Sequence, residues 1–83
     1  MKVNLYVVTA VNESSFYYYF ATSANNAKTF FADNYDYFDF KQSYIDLRVR
    51  TLEKNIEFHE GIVERGDGED IVKNFGYDII WEE

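Results

Sequence analysis

The chain has 83 residues, no cysteine, no proline, 20% aromatic residues and a formal charge of -7. That size makes one domain, residues 1–83, whose limited core has no disulfide or metal staple to supplement it. The acidic balance disfavours direct nucleic-acid binding, which draws on clustered Lys and Arg for counterion release.

The opening residues carry too short an apolar run for a signal peptide, and no run approaches the roughly 18 residues of a membrane span. The lack of cysteine fits a reducing cytoplasm, so a cytoplasmic protein is expected. The charge is uneven along the chain. Residues 1–42 hold three Lys against four acids, and residues 43–83 hold five basic residues against eleven acids.

Val3, Leu5, Val7, Thr9 and Val11 alternate with their neighbours, a period of two that predicts a strand over 2–11. The polar cluster 12–15 suits a turn. Phe16, Tyr18 and Phe20 then share one face of a returning strand over 15–22, with Tyr17 and Tyr19 on the other. Thr22 or Ser23 can cap a helix over 24–35, with Ala27, Phe30 and Phe31 on one face. Residues 44–52 alternate again, with Ile45, Leu47 and Val49 inward and Asp46, Arg48 and Arg50 outward. Residues 53–65 fit an edge strand, a strand pair broken at Gly61, or an irregular connection. Asp67 can cap a short helix that has Glu69 and Asp70 in its first turn and Ile71, Val72 and Phe75 on its apolar face. Gly76 suits the left-handed position that closes it, and residues 77–81 read as a last strand.

The expected fold is therefore α+β, in the order β-β-α-β-α-β. A four-stranded, mostly antiparallel sheet would carry both helices packed on one face. The other face would be partly wet, with Tyr17, Tyr19, Arg48 and Arg50 as candidates to line it. Leu5, Val7, Phe20, Phe30, Phe31, Ile45, Leu47, Val49, Ile71, Phe75 and Ile79 are the expected core.

The sequence offers no catalytic constellation. His59 is the single histidine. A nucleophile relay would also need a positioned Ser or Cys and an orienting acid, and His59 reads as an exposed polar residue. The acidic run 66–70 lacks the twelve-residue ligand pattern of a calcium loop. Nothing has zinc-site spacing or a phosphate-loop signature. No catalytic residue, metal or cofactor is expected.

What remains is binding. Residues 33–40 place Asp33, Asp36 and Asp39 at three-residue spacing among Tyr35, Tyr37, Phe38 and Phe40. Aromatic anchors with a negative surround suit a face aimed at something basic. Asp33, Tyr35, Asp36, Tyr37 and Asp39 form one candidate patch. Glu57, Glu60, Glu64, Asp67, Glu69 and Asp70 form a second.

In size, acidity, missing cysteine, tyrosine density and the acidic end Asp78-Ile79-Ile80-Trp81-Glu82-Glu83, the chain resembles small acidic proteins that phages encode against host defences, including anti-CRISPR proteins. The resemblance covers the full length in character and carries no specific motif. It implies a non-catalytic inhibitor that occupies a basic nucleic-acid channel, or locks a conformation, of a host protein such as an RNA-guided nuclease. Its partner would be a basic protein surface, with no direct nucleic acid and no membrane. A second reading is a small housekeeping or structural module that completes a larger assembly through an open sheet face or edge strand.

Overall fold

The computed structural model describes residues 1–10, 16–33 and 47–79. These form β1 (Lys2–Ala10), β2 (Phe16–Ala21), α1 (Ala24–Asp33), β3 (Leu47–Glu57), β4 (Gly61–Ile62) and α2 (Glu69–Asn74). The fold is α+β, with a four-stranded antiparallel sheet in the order β3-β1-β2-β4 and two helices.

β1 and β2 pair from Asn4↔Ala21 to Thr9↔Phe16, as the two alternating runs imply. β3 lies on the other side of β1, from Lys2↔Glu57 to Ala10↔Leu47. The fourth strand is not the one expected. β4 pairs with β2 through Tyr19↔Ile62 and Phe20↔Gly61 and precedes α2, while residues 77–79 belong to no strand. Residues 80 and 81 lie outside the described residues.

β3 is longer than its alternation suggests, and two register shifts against β1 explain this. Leu5 faces Glu53 and Tyr6 faces Thr51, which leaves Leu52 as an extra residue. Val3 faces Ile56, so a second extra residue falls between Ile56 and Glu53. Asn55 sits there at φ 59, in the left-handed region that Asn tolerates, and donates its N–H to Asn4 Oδ1 at 3.2 Å. Each bulge shifts the side-chain phase and breaks the period of two that pattern reading depends on.

The interior strands bury both faces. Val3 and Leu5 point to one side of β1, and Tyr6 and Val8 to the other; all four are at most 3% exposed. On the first side, Tyr6, Val8, Tyr19, Ala21 and Leu47 pack against Ala27 and Phe31 of α1. On the second, Val3, Leu5, Phe20, Ile56 and Val63 pack against Val72 of α2. The two helices therefore cover opposite faces of the sheet rather than sharing one. A sheet with both faces covered reads as near-continuous apolar sequence, which is the character of Leu5-Tyr6-Val7-Val8 and of residues 16–21.

This arrangement reassigns several side chains. Tyr17 and Tyr19 lie under α1, with Tyr19 ring centroids 4.7 Å from Phe30 and 5.6 Å from Phe31. Burial pushes the Tyr19 hydroxyl pKa up, with Glu60 adding to the shift. Leu5, Phe20, Phe31 and Leu47 are buried as expected, whereas Val7, Phe30, Val49, Ile71 and Ile79 are half-buried. Phe75 is 45% exposed and stands at the end of α2, not on its apolar face. Ile45 lies outside the described residues.

The helix ends follow from local chemistry. The Ser23 hydroxyl accepts the Asn26 N–H at 3.2 Å and starts α1. α2 closes with paired bonds, Gly76 N–H to Lys73 O at 2.9 Å and Tyr77 N–H to Val72 O at 3.3 Å, with Gly76 at φ 95.

A candidate acidic binding site

Residues 57–70 carry six acids against Arg65, the one Lys or Arg in that stretch. This segment leaves β3, crosses one end of the sheet, adds β4 beyond β2 and turns into α2. Backbone bonds fix its path. Phe58 N–H donates to Met1 O at 3.1 Å, and Val63 N–H to Tyr18 O at 3.1 Å. Glu64 and Asp67 exchange reciprocal backbone bonds of 3.0 Å each, which closes a tight turn over Arg65 and Gly66. Gly68 follows at φ 85, where a Cβ would stand 2.7 Å from a Phe20 ring carbon. Only glycine lets the backbone lie this close to the Phe20 ring, so the turn rests directly on the second core.

Each acid has a distinct setting. The Glu57 carboxylate accepts from the N-terminal ammonium at 2.9 Å and from Lys2 Nζ at 3.2 Å, which together hold its pKa below the ordinary range. Glu60 Oε2 accepts the Thr22 N–H at 2.9 Å and the Thr22 hydroxyl at 3.3 Å, tying the crossing segment to the start of α1. Glu69 pairs with Lys73 one helical turn on, at 3.1 Å. Glu64 and Asp70 are exposed.

Asp67 does not cap α2. Gly68 holds the cap position without any side-chain capping bond, and Asp67 Oδ1 lies 3.0 Å from His59 Nε2. His59 stacks on Phe58 with ring centroids 4.1 Å apart, and its Nδ1 lies 3.0 Å from Glu60 O. The bond to Glu60 O, followed by the bond to Asp67, raises the His59 pKa above its ordinary 6.5.

All six acids of the second predicted patch thus lie on one continuous, backbone-anchored segment. Asp33 does not join them. It is exposed at the last position of α1, roughly 13 Å along the helix from the end that Glu60 touches. Tyr35, Asp36, Tyr37 and Asp39 lie outside the described residues. Arg48 and Arg50 are exposed and stand on the α2 side of the sheet, on the strand face that also carries Val7 and Tyr18.

Sequence reasoning missed three contributors: His59 as a link across the segment, Thr22 as an anchor for Glu60, and Lys2 as a partner of Glu57. Nothing in a single sequence joins His59 to Asp67 eight residues on, or Thr22 to Glu60 thirty-eight residues on. The one available signal was Gly66-Asp67-Gly68, which announces a turn but not what the turn touches.

Among the described residues, no group of three or more His, Cys, Asp or Glu side chains is placed to hold a metal ion. No described helix is long and apolar enough to cross a membrane. No protein-family model, curated protein or solved structure matches the chain.

Proposed function

We propose that this protein acts by binding, as a non-catalytic inhibitor that covers a basic nucleic-acid-binding surface of a cytoplasmic host protein. The observation that carries the proposal is the 57–70 segment: six carboxylates on one backbone-anchored run, with Arg65 as its only Lys or Arg. Carboxylates fixed along a surface meet the Lys and Arg that would otherwise grip phosphates, and a fixed negative field speeds the encounter. Pre-organisation matters because an ordered segment loses less entropy on binding. The internal bonds of Glu57, Glu60 and Glu69 orient those carboxylates while leaving the segment strongly negative.

The resemblance in character to phage anti-defence proteins makes an RNA-guided nuclease a fitting partner, since its channel must be basic to hold nucleic acid. Asp33, with Tyr35, Asp36, Tyr37 and Asp39, remains a second proposed contact patch on the same reading.

The test is capture of the partner from a bacterial lysate with a salt-gradient elution, followed by competition between this protein and nucleic acid for the captured partner. The expected result is mutually exclusive binding that weakens as salt rises, because exposed charges are screened over about 8 Å at physiological ionic strength. Simultaneous binding, with no loss of partner activity, would reject inhibition and leave the assembly-module reading.

A further inference from the structure

His59 sits where the acidic segment meets itself. Its two ring nitrogens face two oxygens that can only accept: the Glu60 carbonyl at 3.0 Å from Nδ1 and the Asp67 carboxylate at 3.0 Å from Nε2. A neutral imidazole has a single N–H, so it can satisfy one of these oxygens and must point a lone pair at the other. The imidazolium satisfies both. The geometry is therefore complete only in the protonated form. The link also joins the crossing residues 58–60 to the turn 64–67.

We infer that His59 is a proton-operated latch on the acidic turn: protonated, it bonds the Glu60 carbonyl and the Asp67 carboxylate at once and so pins the turn to the crossing segment, and on losing its proton it keeps one of the two bonds and the link slackens. The charged groups on the surrounding elements are Glu57 at the end of β3, Glu60 and Glu64 on either side of β4, Arg65 and Asp67 in the turn, and Glu69 and Asp70 at the start of α2. Of these, the Glu57 and Glu60 carboxylates are held by the N-terminus with Lys2 and by Thr22, and Glu69 pairs with Lys73. Asp67 is the carboxylate bonded to the ring. Phe58 stacks against one ring face and adds no charge.

The consequence for binding rests on the proposed function; the latch itself does not. Loss of the proton ends the ion pair with Asp67, which leaves that carboxylate's charge available to a partner cation, and removes one positive charge from the segment. Affinity for a basic partner should therefore rise as pH climbs through the His59 transition, by about 1.5- to 5-fold, the range that one exposed ion pair provides. Such a device would make inhibition sensitive to acidification through the His59 transition.

The test is an NMR pH titration of the whole chain, following the His59 ring protons with the Glu64 and Asp67 amides, repeated on Asp67→Asn and His59→Gln. The expected result is one shared transition above 6.5 in the ring and both amides. In Asp67→Asn the ring midpoint falls, and in His59→Gln the amide transition disappears. Asp67 and His59 side chains are 45% and 57% exposed, so both variants should fold. A ring midpoint unchanged by Asp67→Asn, or turn amides that do not follow the ring, would overturn the latch. A proven latch with partner affinity flat across its transition would overturn the regulatory consequence. Failure of the inhibitor reading would instead show in the competition assay and leave the titration untouched.

Discussion

The two faces of the sheet are closed by different means. On one face the ten-residue α1 lays Ala27 and Phe31 over Tyr6, Val8 and Tyr19, and rings fill the space. On the other, the six-residue α2 contributes Val72 and Ile71, while Phe58, Tyr77 and Ile79 add to the cover, and at Gly68 the backbone itself lies against the Phe20 ring. Side-chain volume makes the first core; backbone proximity helps make the second. The acids ride on the second. The turn between Glu64 and Asp67 is seated on that core through Gly68, while Glu57, Glu60 and Glu69 are held by the N-terminus with Lys2, by Thr22 and by Lys73.

The largest expected effects come from emptying either core. Phe31→Ala on the α1 side and Phe20→Ala on the α2 side should each destabilise by about 3–5 kcal/mol, read as a lowered urea midpoint. The contrast lies in what else changes. Under native conditions Phe20→Ala should shift the His59 midpoint, because the Phe20 and Phe58 rings lie 4.9 Å apart and Phe58 stacks on His59. Phe31→Ala should leave that midpoint alone. Equal shifts in both variants would erase the distinction between the faces.

Gly68→Ala sharpens it further. The added methyl would stand 2.7 Å from the Phe20 ring at a φ of 85 that favours glycine. A loss of about 1–3 kcal/mol is expected in urea unfolding, as for other overpacked sites. A neutral result would mean that the turn is not seated on the core.

Ser23→Ala removes the hydroxyl that starts α1 and should cost about 1 kcal/mol. Thermal unfolding should register that loss without any change at His59, since the cap belongs to the other face.

The smallest effect is the pH dependence of stability. The folded pKa of His59 lies above 6.5, so its contribution is fully present below 6.5 and is lost as pH rises through the folded value. Glu57 has the opposite sign: its pKa is lowered from 4.5, so its contribution is present above 4.5 and lost as pH falls through the folded value. Urea midpoints of wild type and His59→Gln should therefore converge as pH climbs past the His59 transition. A constant gap would assign the stabilisation to something other than the proton.

Much of the fold was legible in the sequence because β1, β2 and α1 carry intact periods. Leu5, Phe20, Phe31 and Leu47 fall where alternation and helical spacing place them. The last part of β3 was not legible because its bulges change phase at Leu52 and Asn55. The cover of both faces was missed for a related reason. The alternation of Val3, Leu5 and Val7 suggests one inward face, but the continuous run Leu5-Tyr6-Val7-Val8 is the mark of a strand whose two faces are both covered. β4 stood only among the alternatives for residues 53–65, because two residues leave no period to read. For the acidic segment, the sequence shows where the acids fall, but their mutual arrangement depends on Thr22, His59 and Gly68. Those links are tertiary.

The central claim is that the ordered acids of residues 57–70 compete with nucleic acid for a basic protein surface. Its most direct measurement is displacement of nucleic acid from the captured partner by wild type and by a Glu64→Gln, Asp67→Asn, Asp70→Asn triple variant, across a salt series. The account predicts full displacement by wild type at low salt, weaker displacement as salt rises, and a large loss for the triple variant with its urea midpoint little changed. A ternary complex of partner, nucleic acid and this protein, or equal displacement by the folded triple variant, would contradict it.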